Sequence, residues 1–284
     1  MEQNSIEFKQ QRSLGDILSV TFRFLRENYK TFSRTLFKLV GPVFILLVAA
    51  VSYYSYSSMQ DPFENSFTSG GFLISFGILA IALLLYFTVL YTVVFNYIKS
   101  YIQNNGIIDE TEISQGLRKD FGRMLGLGGI SWLLSLAGLF IFILPGIYVS
   151  IPLTIAGAVL IFRNEGISES ITESFSLVKG NWWFSFLTIL VTFLIVYAIS
   201  MAFQVPLAIY MIIKTLTVAK QSSTGDVTGS FGWFYIVLTV IASLIQYILY
   251  AVIPVAVAFL YFHLNEKKNF TGTYETIENL GKDH

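Results

Sequence analysis

NSFTSGGFLISFGILAIALLLYFTVLYTVVFNYI, residues 65–98, is a run of 34 residues without a single acidic or basic side chain. About 20 apolar residues are enough for an α-helix to cross the hydrocarbon core of a bilayer. Only 13% of the whole chain is charged, whereas soluble domains carry about 25%. Four further uncharged runs are long enough to cross: 39–60, 124–162, 180–213 and 227–265. The sequence therefore predicts an all-α fold, a polytopic membrane helix bundle.

The run 124–162 is long enough for two short spans and contains a turn signal near its middle. Pro145 lacks a backbone N–H donor, and the adjacent Gly146 favours tight turns. We therefore predict two spans here, near 124–143 and 147–162.

The run 227–265 has the same length but a different pattern. Pro254 lies near its C-terminal end and has no glycine beside it. We predict one long helix from about 233 to 263, which the proline can kink. Because each of the other three runs is read as a single helix, the predicted total is six transmembrane spans.

Lysine and arginine predict the orientation of these spans. With the N-terminus inside, sixteen of the eighteen basic residues lie in cytoplasmic segments, and only Lys214 and Lys220 lie outside. Cytoplasmic loops of membrane proteins carry such an excess. A seventh span would move Lys267 and Lys268 outside, which argues against it. We therefore predict a multi-pass protein with both termini in the cytoplasm.

A short charged segment, RNEGISESITESFSLVKGNWW at residues 163–183, separates two of the uncharged runs. Its apolar residues recur at helical spacing and form one face of an amphipathic helix: Ile167, Ile171, Phe175 and Val178. The helix is too short and too polar to span a bilayer. We predict that it lies along the cytoplasmic interface with this stripe buried.

The remaining side chains of this segment suggest how it meets its surroundings. Glu169 and Glu173 lie outside the apolar stripe, and Trp182 with Trp183 marks the point where the chain turns into the membrane. We expect the glutamates to face water or basic residues of two similar segments: Arg23, Arg26, Arg118 and Arg123.

Two other segments have the same spacing, so an internal repeat is predicted. Their stripes are Leu14, Leu18, Phe22 and Leu25, and Ile113, Leu117, Phe121 and Met124. Phenylalanine is the third member of all three stripes, and each segment precedes a pair of spans. We predict three interfacial helices and three parallel pseudo-repeats, at about 13–103, 111–163 and 166–265. Chance similarity in so hydrophobic a chain is the alternative.

These units form one predicted membrane domain, 13–265. A polar N-terminal segment, 1–12, precedes it, and a polar cytoplasmic tail, 266–284, follows it. Within the domain, Gly122, Gly126 and Gly129 are predicted to let helices pack closely, as small residues do in membranes.

Three motifs carry a resemblance to a known group: SLGDILSVTFRFLREN near the start, LPGIY followed by IP, and NEGISESITESFSLVKGNWW. They resemble the membrane domain found beside bacterial glycerophosphodiester phosphodiesterases and are similar to the related YciC-like membrane families. The resemblance covers most of residues 13–265 and implies a bacterial inner-membrane protein. In the phosphodiesterases the chemistry belongs to a separate soluble domain, so we expect no such activity here.

The sequence offers little catalytic equipment. It has no cysteine and only two histidines, whereas a metal site usually needs three or four ligands. We predict an interfacial hydrogen-bonding role for His263. No acidic or basic residue lies deep within a predicted span. The notable polar residues there are Asn96, Gln204 and Gln246, which we expect to bond between helices, with substrate contact as the alternative.

The favoured hypothesis is a non-enzymatic scaffold or accessory protein that acts with lipids or protein partners at the cytoplasmic leaflet. We expect no cofactor and no nucleic acid. The expected partners are membrane lipids and other membrane proteins. The alternative is a transporter or flippase for an amphipathic substrate, which parallel repeats and prolines in or between spans would suit.

Overall fold

The computed structural model describes residues 6–60, 70–221 and 233–280. Within these ranges all regular secondary structure is α-helical, as predicted. In chain order the helices are α1 (Leu14–Leu39), α2 (Gly41–Gln60), α3 (Gly70–Gln103), α4 (Glu110–Ile141), α5 (Ile143–Arg163), α6 (Ile167–Val178), α7 (Trp182–Gln221), α8 (Trp233–Leu249), α9 (Val252–Asn269) and α10 (Thr271–Leu280).

Several of these helices are long and apolar enough to cross a membrane. Five stretches meet this criterion: Gly71–Gln103, Glu110–Phe140, Ile143–Arg163, Trp182–Leu216 and Val237–Asn269, the last of which joins α8 and α9. A sixth is reached if Leu14–Leu39 and Gly41–Ser57 together form one broken span. The chain is therefore an all-helical protein of the multi-pass membrane type, with five or six candidate spans in the described ranges.

Two helix starts coincide with the prolines of the long runs. Helix α5 begins at Ile143 and has Pro145 in its first turn, so the predicted division of that run is seen, with the break at Phe142. Helix α9 begins at Val252, two residues before Pro254. Proline suits a first turn, where no intrahelical partner exists for its missing N–H. The predicted single span is thus kept as Val237–Asn269, with a short turn at residues 250–251 between α8 and α9.

The predicted amphipathic segments differ from one another in length. The 167–178 segment is a separate helix, α6, close to its predicted bounds. The 113–124 segment is not separate, because α4 continues from Glu110 to Ile141 without a break. This stretch contains no proline to interrupt it, so its amphipathic part and its apolar part form one helix. Helix α1 likewise extends well past the predicted segment, to Leu39.

The most buried face of α6 lies beside the predicted apolar stripe, of which only Val178 is fully buried. Its buried residues are Ser170, Ser174, Leu177 and Val178, while Ile167, Ile171 and Phe175 are half-buried. The serine hydroxyls donate to carbonyls of their own helix, from Ser170 to Gly166 at 2.6 Å and from Ser174 to Ile171 at 2.7 Å. Small side chains with satisfied hydroxyls permit close helix packing in membranes, whereas large apolar ones can face lipid.

Helix α1 departs from the prediction in the same way. Ile17, Thr21 and Phe24 are fully buried, whereas Phe22 of the predicted stripe is exposed. The buried positions Ile17, Thr21 and Phe24 correspond to Ser170, Ser174 and Leu177 at a constant separation of 153 residues. The two helices therefore bury equivalent faces most deeply, and the predicted stripes beside those faces are only partly buried.

The chain packs as two compact units. Unit 1 comprises Met1–Val40, Phe87–Phe193 and Ala251–His284, and unit 2 comprises Gly41–Tyr86 and Leu194–Tyr250. Unit 1 has a core of aromatic rings from the N-terminal segment, α1, α3 and α9, which includes Phe8, Phe24, Tyr97, Tyr101 and Phe259. In unit 2 the Tyr86 hydroxyl donates to the Tyr247 carbonyl at 2.7 Å.

The terminal segments are packed where they are described, although the sequence suggested only polar extensions. Ile6 and Phe8 are buried in unit 1. In the last turn of α9, the Glu266 carboxylate accepts from the backbone N–H groups of Gly272 at 2.7 Å and Thr273 at 3.1 Å. These are unpaired donors at the start of α10, so the buried carboxylate fixes that helix against α9.

Candidate functional site

One polar cluster of unit 1 is centred on Glu173 of α6. Its Oε1 lies 3.0 Å from Arg163 Nη1 and 3.1 Å from Lys268 Nζ. Lys268 also donates to the Ser176 hydroxyl at 2.7 Å. All three charged side chains are partly shielded from solvent, with exposures of 23–38%. One carboxylate therefore links the ends of α5 and α9 to the middle of α6.

Arg163 ends α5 and is held on several sides. Its Nη2 donates to Asn265 Oδ1 at 2.7 Å, and its Nε donates to the Tyr261 hydroxyl at 3.3 Å. A second carboxylate, Glu165, lies 3.6 Å from Nη1. Arginine suits this position because its planar guanidinium directs several donors at fixed angles.

The basic partners of Glu173 are not the predicted arginines of the two similar segments. Glu173 pairs with Arg163 and Lys268, and neither belongs to the two related segments. Arg123, one of the predicted partners, instead donates to the Glu165 backbone carbonyl at 3.2 Å and to Asn164 Oδ1 at 3.0 Å. Glu169 is exposed.

Asn96 belongs to a second polar cluster, between α3 and α4. Its amide donates to the Thr92 carbonyl at 3.0 Å and faces Asp120 Oδ2 at 3.4 Å. Asp120 is buried and forms an ion pair with Arg123. The predicted interhelical bond of Asn96 is therefore seen. Gly116 is required beside it, because a Cβ there would collide with the Asn96 amide.

Gln204 and Gln246, each predicted to bond between helices, contact one another in unit 2. Gln204 Nε2 donates to Gln246 Oε1 at 3.4 Å, and Gln246 Nε2 donates to the Tyr250 hydroxyl at 2.6 Å. These residues lie within α7 and at the end of α8, so the predicted bond between helices is seen for this pair as well.

The two tryptophans at the start of α7 have different environments. Trp182 stacks on Tyr148 of α5 with ring centroids 5.4 Å apart, and its Nε1 donates to the Tyr148 carbonyl at 3.1 Å. Trp183 is 70% exposed and meets Trp182 edge to face at 5.0 Å. Trp182 therefore holds two helices together, and Trp183 is available to lipid or to a partner.

The three phenylalanines of the predicted stripes do not form a common site. Phe22, Phe121 and Phe175 lie on α1, α4 and α6, and none is among the fully buried side chains. Of the three predicted packing glycines, Gly126 alone approaches another helix, with Ile167 Cδ1 3.0 Å from its Cβ position. A Cβ at Gly122 or Gly129 would meet open space.

The docking of the N-terminal segment was not predicted from the sequence. The Phe8 ring stacks on Phe259 at 4.5 Å and meets Phe24 edge to face at 5.6 Å. The Arg12 guanidinium donates to the Phe8 carbonyl at 2.9 Å and lies over the Phe259 ring. Burial lowers the pKa of Arg12, an effect that the Glu7 carboxylate opposes. The available signal was Ile6 and Phe8 within an otherwise polar stretch.

His263 has the hydrogen bond that the sequence suggested. Its Nδ1 accepts from the Arg12 backbone N–H at 2.9 Å, and its ring stacks on Phe184 at 4.6 Å. The imidazole thus joins the N-terminal segment to α9 and the start of α7. Among the described residues, no group of three or more His, Asp or Glu side chains could hold a metal ion.

In comparisons with known proteins, no family model, curated protein or solved structure matches this chain. The resemblance of its sequence to the membrane domain beside bacterial phosphodiesterases therefore stays a prediction.

Proposed function

We propose that this chain is a non-enzymatic integral membrane protein, a scaffold or accessory factor that acts with lipids or protein partners at the cytoplasmic leaflet. In this proposal it belongs to the inner membrane of a bacterium, and both termini are cytoplasmic. The orientation rests on the distribution of lysine and arginine and requires only an even number of crossings.

The observation that supports this proposal best is the use made of the charged side chains. Glu173 joins Arg163 and Lys268, and Glu266 fixes the start of α10. Lys99 donates to the Ile161 carbonyl at 3.1 Å, near the end of α5. Charges that hold helix ends together build a rigid surface, and such a surface suits binding better than proton or ion transfer.

We also propose the internal repeat, at least between the first and third units. Helices α1 and α6 bury equivalent positions at the same separation of 153 residues. Duplication of one packing unit would produce such a common buried face. The residues of this face are not those of the apolar stripes on which the repeat was predicted.

A photo-crosslinking amino acid at Trp183 tests the scaffold proposal in living cells. Trp183 lies ten residues after Glu173 and its ring is exposed. We therefore expect a discrete adduct with a lipid or with one protein. The matched control places the crosslinker at Leu177, which is 2% exposed and should give no intermolecular adduct. Equal adducts at both positions, or none at Trp183, would count against a binding surface here.

The alternative, a transporter or flippase, has one observation in its favour. The side chains of Gln204, Gln246 and Tyr250 form a line of polar contacts inside unit 2. Reconstituted vesicles with a fluorescent lipid or a trapped solute would test it. Movement across the bilayer that Gln246→Leu abolishes, with the folded state retained, would replace the scaffold proposal with this one.

A further inference from the structure

The position of α5 in unit 1 follows from two neighbouring helices. The start of α7 lies beside the end of α9. Lys267 Nζ donates to Asn181 Oδ1 at 2.7 Å, and the Phe184 ring stacks on His263. The two helices are therefore antiparallel at this point, and these residues mark one end of the pair.

Both ends of α5 contact that same end of the pair. At its C-terminus, Arg163 bonds Asn265 of α9. Near its N-terminus, Tyr148 stacks on Trp182, the first residue of α7, and accepts its indole N–H. The helical rise from Tyr148 to Arg163 is about 22 Å. A helix that ran alongside α9 would carry Tyr148 far from the start of α7.

Helix α5 therefore lies across α7 and α9 rather than along them. The packing of α6 agrees, because α6 packs against α5 and its Glu173 and Ser176 meet Lys268 at the end of α9. Helix α4 packs against α5 as well, and Gly146 allows a close approach, with the Gly138 Cβ position 2.8 Å from its Cα. Helices α4 and α5 thus form a hairpin that leaves this end of unit 1 and returns to it.

We propose that the α4–α5 hairpin does not cross the bilayer. Instead, its free half, residues 130–148, inserts into the leaflet that holds α6. Phospholipid acyl chains cover its exposed surface. The inference deepens the proposed function, since it rests on the orientation proposed there and identifies a lipid-binding element.

The surface of the free half fits this environment. The residues around the turn are large, apolar and exposed, among them Phe140 at 88%, Phe142 at 75% and Leu144 at 79%. No charged residue occurs from 124 to 162. An exposed apolar surface of this kind is unfavourable in water and suits hydrocarbon. The Tyr148 and Trp182 rings sit where the free half begins on α5, and aromatic residues commonly mark the interface between lipid and water.

The number of crossings changes, but the parity does not. A hairpin that enters and leaves on one side removes two spans from the predicted six. The termini therefore stay on the same side as each other, and the charge distribution cannot distinguish the two topologies. A measurement at the hairpin turn is needed.

Single-cysteine labelling provides that measurement, because the chain contains no cysteine. The test variant is Leu144→Cys at the turn. Lys179→Cys, at the exposed end of α6, is the cytoplasmic control. Ser66→Cys is the external control, placed by sequence in a segment outside the described residues. An impermeant maleimide is applied to intact cells and to inverted membrane vesicles, and a nitroxide on Leu144→Cys is then tested for relaxation by oxygen and by a water-soluble nickel chelate.

We expect Ser66→Cys to label only in intact cells, Lys179→Cys only in inverted vesicles, and Leu144→Cys in neither. The nitroxide should respond to oxygen and not to nickel. Labelling of Leu144→Cys together with Ser66→Cys would show that the hairpin crosses and would overturn the proposal. Labelling together with Lys179→Cys would show a water-exposed turn and would overturn lipid insertion. If instead Ser66→Cys labels only in inverted vesicles, the proposed orientation has failed independently of the hairpin.

Discussion

Replacement of Phe24 by alanine should destabilise the protein strongly, whereas the same change at Phe22 should not. The Phe24 ring is fully buried, and its centroid lies 5.2 Å from Tyr101 and 5.6 Å from Phe8. Truncation of a buried phenylalanine costs about 3–5 kcal/mol, because the cavity that remains is only partly filled. Phe22 lies two residues away and is 36% exposed. Its loss leaves the aromatic cluster intact and should cost less than about 1 kcal/mol.

Equilibrium unfolding in mixed micelles, with a rising fraction of denaturing detergent, would measure both changes. Phe22 is a matched control, since the residue type, the helix and the substitution are the same. The reasoning predicts a difference of at least about 2 kcal/mol between the two variants. Equal losses, or a larger loss for Phe22→Ala, would refute it, because they would mean that the apolar stripe of the sequence is the packed face after all.

Two further predictions use the same assay. Glu173→Gln removes the charge that two basic groups share, so it should lower the free energy of unfolding by about 1–3 kcal/mol. Glu169→Gln on the exposed face should change it by less than about 0.5 kcal/mol. Similar values for both variants would contradict a stabilising role for the Glu173 cluster. Gly116→Ala places a methyl group against the buried Asn96 amide and should cost about 1–3 kcal/mol by overpacking. Gly122→Ala meets open space in the same helix and should be neutral or stabilising by up to about 1 kcal/mol, so an equal loss in both glycine variants would contradict the close approach.

The helices themselves could be predicted from the sequence, because an uncharged run of about 20 or more residues satisfies its own backbone in lipid by forming a helix and is too long for a barrel strand. The faces that these helices bury could not be predicted in the same way. In a soluble protein a stripe such as Ile167, Ile171 and Phe175 would turn inward. In a membrane large apolar side chains lose nothing by partial exposure to lipid, so these three stay half-buried while small residues such as Ser170 and Ser174 take the interior.

The polar contacts could be predicted in part. Asn96, Gln204 and Gln246 stood out as isolated amides in apolar runs, and each bonds as expected. The partners of Glu173 could not be predicted, since Arg163 and Lys268 are brought to it by the folding of α5 and α9. Periodicity describes one helix at a time and carries no information on which helix ends meet.

Reporter fusions at two positions test the central claim, a multi-pass membrane protein with both termini in the cytoplasm. One reporter follows His284 and the other is inserted at residue 66; both positions lie outside the described residues. A reporter active only in the cytoplasm should function after His284 and fail at residue 66, and a reporter active only outside should show the reverse. Matching signals at the two positions would contradict the account, whatever the number of crossings between them.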